Sequence, residues 1–227
     1  MSDKVHPSVA FCTIAIGRNY HRLSLAMLKS LRRNGGFSGP LYIFTDFPDL
    51  YKCLDNVYPI KVPTPKSIMA AHQYKALILK IIPIEHIVYI DGDIIIGRPL
   101  EDWLHKALKA SANHPIVLFW DHGSTGHFYH GGLFLVNRRI SRQLLNRWRQ
   151  LIWFGRYSRD QKALIKAIKR ERDVYIMPKE DMVFVSRSQA RLEMIGTFNH
   201  ITDRARKTIP AEKIKNLARQ LGVGDYM

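Results

Sequence analysis

Apolar segments of strand length alternate with helical segments through the first hundred residues, and this alternation constrains the fold more than any other feature. Residues 9–16 form a continuous apolar run that ends at Gly17, which is typical of a strand buried on both faces. Shorter strand patterns lie at residues 41–44, 56–62 and 86–90. Apolar residues at helical spacing predict helices over residues 20–34 and 68–82. The alternation favours an α/β fold with a mainly parallel central sheet flanked by helices.

The second half of the chain is less regular. Strands are predicted at residues 115–120, 131–136, 174–176 and 182–185, and the last two are expected to close the same sheet. Helices are predicted over residues 141–152 and 159–168, with a short amphipathic C-terminal helix over 210–221. Three aromatic residues lie among leucines in or beside the predicted helix 141–152 and are expected to be buried in the core: Trp148, Trp153 and Phe154. No repeat or linker is visible, so a single domain over residues 1–227 is expected.

The chain carries a formal charge of +16. Residues 138–172 hold twelve Lys or Arg but only two acids, Asp160 and Glu171. Such an excess of positive charge attracts anions over long range, but it does not identify the anionic partner. Nucleic acid, an acidic membrane surface and phosphorylated substrates all remain open, as does a basic face that serves only solubility.

Cysteine content and the N-terminal sequence bear on the compartment. Cys12 and Cys53 are the only cysteines and provide no disulfide framework or metal-binding spacing. The first residues lack the apolar stretch of a secretory signal, and no run of eighteen apolar residues occurs. We therefore expect a cytoplasmic protein, with peripheral contact to a membrane as an extension.

Two carboxylates, Asp91 and Asp93, lie two residues apart between strongly apolar segments. Charges seldom occur in such surroundings without a partner. Oxygen ligands at the carboxyl end of a strand suit Mg²⁺ or Mn²⁺ bound with a diphosphate, and Gly92 allows a close approach of the backbone. An exposed Asp-Gly turn in a hairpin is the alternative.

Four parts of the sequence, two of them made of a pair of segments, together match the pattern of one known enzyme family. Residues 13–20 (TIAIGRNY) are similar to the family's first strand and turn. Residues 74–77 (YKAL) and 88–93 (VYIDGD) resemble its Lys-containing helix and Asp-x-Asp motif. Residues 130–137 (HGGLFLVN) and 160–164 (DQKAL) resemble a later strand and an Asp-Gln helix start, and residues 198–200 (FNH) resemble the segment with the late metal-binding His. Together these parts cover roughly residues 9–205 and resemble the glycosyltransferases of the GT-A fold, and among them the glycogenin-like, or family 8-like, enzymes. The resemblance implies a single GT-A type, Rossmann-like domain.

The resemblance implies a metal-dependent transfer of a sugar from a nucleoside diphosphate donor, with UDP as the expected nucleotide. Its metal ligands would be Asp91, Asp93 and His200. Donor-binding residues would be Thr13, Ala15, Tyr20, Lys75, Asp91 and Gly92. Asp46 is a further donor-binding candidate on its own position, because it ends a predicted strand on the nucleotide side and could accept a hydrogen bond from the base or ribose. For three of these a structural reading stays open: Tyr20 as a packing aromatic, Lys75 as a solvent-exposed cation, and Asp46 as a turn former.

Asp160 and Asp121 are the candidate catalytic carboxylates. Asp160 begins a predicted helix, where an acid also serves as a cap or a dipole-compensating charge. The resemblance places Asp160 opposite the hydroxyls or reacting carbon of the donor sugar. Asp121 ends a predicted strand, where it could contact the sugar or act as a base.

The domain is expected to divide into a nucleotide-binding half (1–97), an acceptor half (98–205) and a basic C-terminal helix (206–227). Expected partners are a saccharide or lipid-linked acceptor and an anionic membrane, and no nucleic acid. One rival is a sugar-1-phosphate nucleotidylyltransferase, but a Gly-rich loop after the first strand is missing because Gly17 stands alone there. The other rival, a basic nucleic-acid-binding module, does not explain Asp91 and Asp93.

Overall fold

The computed structural model describes residues 8–64, 68–120, 129–154, 157, 160–185, 196–201 and 211–224. Ten strands lie in these residues: β1 (Val9–Ala15), β2 (Leu41–Thr45), β3 (Val57–Lys61), β4 (His86–Ile90), β5 (Ile94–Ile96), β6 (Ile116–Trp120), β7 (Tyr129–Asn137), β8 (Val174–Ile176), β9 (Met182–Val185) and β10 (Phe198–Ile201). The α-helices described are α1 (Arg18–Arg33), α2 (Ile68–Ile81), α3 (Glu101–Ser111), α4 (Arg142–Trp153), α5 (Asp160–Ala167) and α6 (Ala211–Gln220).

Two compact units can be distinguished along the chain. The first combines residues 1–16, 38–90 and 106–177, and the second combines 17–37, 91–105 and 178–227. Each unit has its own sheet. The expectation of one domain with halves at 1–97 and 98–205 stays a prediction.

The first unit contains a seven-stranded sheet in the order β3-β2-β1-β4-β7-β6-β8. β1, β2, β3 and β4 run parallel, β7 is antiparallel to β4 and β6, and β8 is parallel to β6. Buried side chains of α2, α4 and α5 pack with those of the sheet into one apolar cluster that includes Tyr89, Phe134 and Trp148. The predicted α/β class with a mainly parallel central sheet is thereby confirmed.

Parallel pairing places the carboxyl ends of β1, β2 and β4 at one edge of this sheet. Asp46 follows β2 directly, and β4 ends at Ile90, the residue before Asp91. Apart from Ile14, which is partly buried, the apolar residues of β1 and β4 are buried, which explains why these strands lack alternation.

The second unit contains the small sheet β5-β10-β9, together with α1 and α6. Asn34, which follows α1, ties these elements by donating hydrogen bonds from Nδ2 to the Ile96 carbonyl at 2.8 Å and the Leu221 carbonyl at 2.9 Å. Trp103 of α3 packs edge-on against Phe198 of β10, with ring centroids 4.8 Å apart. β10 is the central strand of the small sheet, paired with β5 on one side and β9 on the other, and Phe198 packs it against α3.

Three details differ from the sequence-based expectations. α3 and β10 were not expected, and β9 pairs with β10 in the small sheet rather than closing the large one. Trp148 is buried as predicted, but Trp153 and Phe154 are 64% and 70% exposed, so the expectation that they are core is wrong. Trp153 is five residues beyond Trp148, which turns it about 140° away around the helix.

No helix in the described ranges is long and apolar enough to cross a membrane.

Candidate functional site

The segment Asp91-Gly92-Asp93 forms a tight turn in the second unit. The Asp91 carbonyl accepts a hydrogen bond from the Ile94 N–H at 3.1 Å, and the Asp93 carbonyl accepts one from the Ile201 N–H at 3.0 Å. A Cβ on Gly92 would lie 3.3 Å from the backbone nitrogen of Ser24 in α1. Glycine is therefore favoured here because α1 approaches the turn closely.

His200 lies beside this turn because β10 pairs antiparallel with β5, opposite Ile94. Its Nε2 is 3.4 Å from Oδ1 of Asp93, and its ring stands edge-on to Phe184 at 5.7 Å. Both side chains are partly exposed, at 15% for His200 and 21% for Asp93. A carboxylate and an imidazole in contact form a donor pair that suits a divalent cation.

The structure brings together two of the three predicted metal ligands. Within the described parts of the chain, no group of three or more His, Cys, Asp or Glu side chains could hold a metal ion. Asp91 is partly buried and adjoins the Asp93–His200 pair through the turn, not as a third member of such a group. The donor chemistry of the pair fits the predicted cation, and the full ligand set stays a prediction.

A second constellation, in the first unit, surrounds Asp160 at the start of α5. Its Oδ2 is 2.9 Å from the Lys75 ammonium, and its Oδ1 is 3.3 Å from Nδ1 of His72. Lys75 also donates to the Gly131 carbonyl at 3.1 Å and lies 4.9 Å from the centre of the Tyr89 ring. Asp160 and Lys75 are both buried, at 6% and 3% exposure, so this is a buried ion pair that joins α2, α5 and β7.

Burial raises the pKa of the Asp160 carboxyl, but the Lys75 charge and the contacts with His72 and Lys75 outweigh burial and hold the pKa well below its ordinary value. Asp160 is therefore a carboxylate at neutral pH. It can accept hydrogen bonds or stabilise positive charge, but it is a poor proton donor.

The depressed pKa of Asp160 predicts a stability loss in acid. A carboxyl with a lower pKa in the folded state contributes its full stability above the unfolded pKa, about 4, and loses it as pH falls toward the folded pKa. Urea unfolding between pH 2.5 and 7 should thus show a decline below about pH 4 that is smaller in Lys75→Met. An equal acid decline in Lys75→Met would contradict this coupling.

The other donor-binding candidates vary in accessibility. Thr13 and Ala15 are fully buried in β1, and Thr13 Oγ1 has no hydrogen-bond partner in the described part of the chain. Tyr20 is 45% exposed in the first turn of α1, and Asp46 accepts a hydrogen bond from Thr64 at 3.3 Å. Asp121 lies outside the described residues. The donor-binding roles of Thr13, Ala15, Tyr20 and Asp46 stay predictions, as does the catalytic role of Asp121.

His72 was not identified from the sequence. It lies three residues before Lys75 on α2, so both side chains face Asp160. The spacing was visible, but its meaning depends on Asp160, which folding brings to α2 from a distant segment. The Gly131 carbonyl that accepts from Lys75 was missed for the same reason.

The fold is similar to that of known glycosyltransferases. Two structures of glycosyltransferase GlyE from Streptococcus pneumoniae TIGR4 align with TM-scores of 0.63 and 0.66, at 15% and 13% identity, over 87% of this chain and 55% of GlyE. The galactosyltransferase LgtC, solved with donor and acceptor sugar analogues, aligns with a TM-score of 0.67 at 13% identity, over 92% of this chain and 95% of LgtC. The chain thus spans about half the length of GlyE.

The amino-acid sequence matches no protein-family model and no curated protein. The likeness is therefore one of architecture, and with LgtC it extends over 92% of this chain. On this evidence, the chain has the fold of the GT-A glycosyltransferases.

Proposed function

We propose that this chain is a metal-dependent glycosyltransferase that moves a sugar from a nucleoside diphosphate donor, with UDP as nucleotide, to a saccharide or lipid-linked acceptor. The observation that carries the proposal is the contact between Asp93 and His200 beside an Asp-Gly-Asp turn, in a chain with a glycosyltransferase fold. The two residues come from distant parts of the sequence, and the pairing of β10 with β5 brings them together.

Asp91, Asp93 and His200 would hold Mn²⁺ or Mg²⁺. When bound, the cation would stabilise the negative charge that grows on the departing diphosphate. Thr13, Ala15, Tyr20, Asp46 and Gly92 are assigned to the donor nucleotide. Lys75, predicted for the diphosphate from the resemblance, is assigned to Asp160 instead, because its buried ammonium is already held by that carboxylate and by the Gly131 carbonyl.

Asp160 is assigned to the donor sugar. Sugar transfer develops positive charge at the anomeric carbon, and a preorganised carboxylate stabilises such charge without reorienting. Lys75 and His72 keep Asp160 ionised and fix its position. The proton that leaves the acceptor hydroxyl needs a different base, and Asp121 is the proposed candidate.

A peripheral contact with an anionic membrane surface is the second part of the proposal. It is supported by the charge of +16 and by the concentration of Lys and Arg in residues 138–172. A lipid-linked acceptor would be presented at such a surface.

Stabilisation by UDP should depend on the metal. Saturating UDP with Mn²⁺ is expected to raise the melting temperature by about 5–10 °C, since a ligand at a hundred times its Kd stabilises by about 2.7 kcal/mol. UDP with chelator, and Mn²⁺ alone, should give much smaller shifts. If UDP stabilises equally well in chelator, the metal assignment fails.

A further inference from the structure

A cavity of about 350 Å³ opens between α2 and α4 in the first unit. Lys80, Arg138, Arg142 and Asn146 line it, together with the apolar side chains of Leu79 and Leu145. It therefore combines three cations, an amide and aliphatic walls. That composition suits a phosphate group that carries an apolar portion.

The two helices that line the cavity bring no acidic side chain to its cations. Neither α2 nor α4 contains an acidic residue. Arg138 donates hydrogen bonds to the carbonyls of Leu79, Ile82 and Ile84, which hold its guanidinium in place without cancelling its charge. Among the described residues, no ion pair reaches Lys80, Arg138 or Arg142.

α4 begins at the cavity with Arg142 and carries exposed aromatic residues at its carboxyl end. Arg142, Asn146, Arg149 and Trp153 follow one another at spacings of three or four residues, so they lie along one face, which we term the α4 outer face. Phe154 extends this face past the helix end and, like Trp153, is mostly exposed. About 16 Å separate its basic end from its aromatic end.

We propose that the α4 outer face and the adjoining cavity bind an anionic lipid surface, with a lipid phosphate in the cavity and Trp153 and Phe154 inserted among the headgroups. Segments that anchor proteins at membrane interfaces combine exposed aromatic side chains with cations on the same helix face. A soluble phosphorylated ligand would use the cations but would leave Trp153 and Phe154 without a role. The inference rests on the proposed membrane contact and names its surface.

The test is cosedimentation of the full chain with vesicles of phosphatidylcholine alone or with 30% phosphatidylserine, a fraction chosen as roughly that of an anionic leaflet. Lys80→Gln/Arg142→Gln is expected to weaken binding to anionic vesicles about 25-fold, at about fivefold for each removed charge. Lys106→Gln/Lys109→Gln on α3 removes the same charge elsewhere and should weaken binding about twofold.

Trp153→Ser/Phe154→Ser is expected to weaken binding about tenfold, whereas Phe47→Ser/Leu50→Ser, another exposed apolar pair, should leave it unchanged. Lipids with brominated acyl chains should quench tryptophan emission in the wild type, and Trp153→Phe should bind normally but lose most of that quenching. Circular dichroism would confirm that each variant is folded.

These experiments distinguish the membrane contact itself from the surface that makes it. Suppose that the wild type binds anionic vesicles but Lys80→Gln/Arg142→Gln or Trp153→Ser/Phe154→Ser binds as well as its control variant. The proposed surface would then be overturned, while the membrane contact would stand. If the wild type does not bind anionic vesicles at low salt, or binds neutral vesicles equally, both fail.

Discussion

Asp160→Asn should lower the free energy of unfolding by about 3–5 kcal/mol, because it leaves the buried Lys75 ammonium without its charge partner. Lys75→Met should cost a similar amount, because it removes the cation from the buried Asp160 carboxylate and leaves only His72 beside it. The double variant should be more stable than the sum of the two losses predicts, since no buried charge remains. Chemical denaturation of the four proteins measures this coupling directly.

The matched control is Glu85→Gln, which removes a carboxylate from an exposed pair with Arg139 at 2.8 Å. That change should cost about 1 kcal/mol or less. Additive losses in the double variant would show that the Asp160–Lys75 contact does not stabilise the fold as a pair.

The same Asp160→Asn variant separates a structural role from a catalytic one. At a temperature where it remains folded, the proposed role opposite the donor sugar predicts a fall in kcat of about a hundredfold with KM for the donor little changed. A purely structural Asp160 predicts normal kcat for each folded molecule. Normal kcat would leave Asp121 as the next carboxylate to test.

Asp93→Ala is expected to reduce donor turnover about a thousandfold, because several kcal/mol of charge stabilisation by a metal would be lost. The fold should persist, since Asp93 is partly exposed and contributes its backbone carbonyl to the Ile201 hydrogen bond regardless of side chain. Turnover and melting temperature should both be measured with saturating Mn²⁺.

Asp102→Ala, an exposed acid in the first turn of α3, serves as the control and should leave turnover near the wild-type value. Wild-type turnover in Asp93→Ala would remove Asp93 from the reaction and with it the proposed metal centre.

The periodicity of apolar residues was sufficient to predict most strands of the central sheet and the helices that cover it. The apolar runs of β1 and β4, and the helical stripes of α1 and α2, are local patterns that burial on one or both faces produces. α3 also had local signals, since Glu101 and Asp102 lie in its first turn before Trp103 and Leu104. The local sequence was therefore sufficient to predict α3, and no contact with a distant segment was needed to recognise it.

The contacts of the candidate site depend on distant segments. Asp91 and Asp93 were conspicuous as charges between apolar strands, but His200 was identified only through a family resemblance. Its position beside Asp93 follows from the pairing of β5 with β10, which no local pattern indicates. The burial of Lys75 against Asp160 is equally non-local, and the helix containing Lys75 gave no sign that its cation would leave solvent.

The central claim of sugar transfer is tested most directly by donor turnover. The protein is incubated with Mn²⁺ and a panel of nucleotide sugars, with and without candidate acceptors, and released nucleoside diphosphate is measured, in parallel with chelator and with Asp93→Ala. Metal-dependent sugar transfer predicts release above the buffer blank for at least one donor, only with metal and only with Asp93 present. Release that persists in chelator and in Asp93→Ala, or no release from any donor, would contradict it.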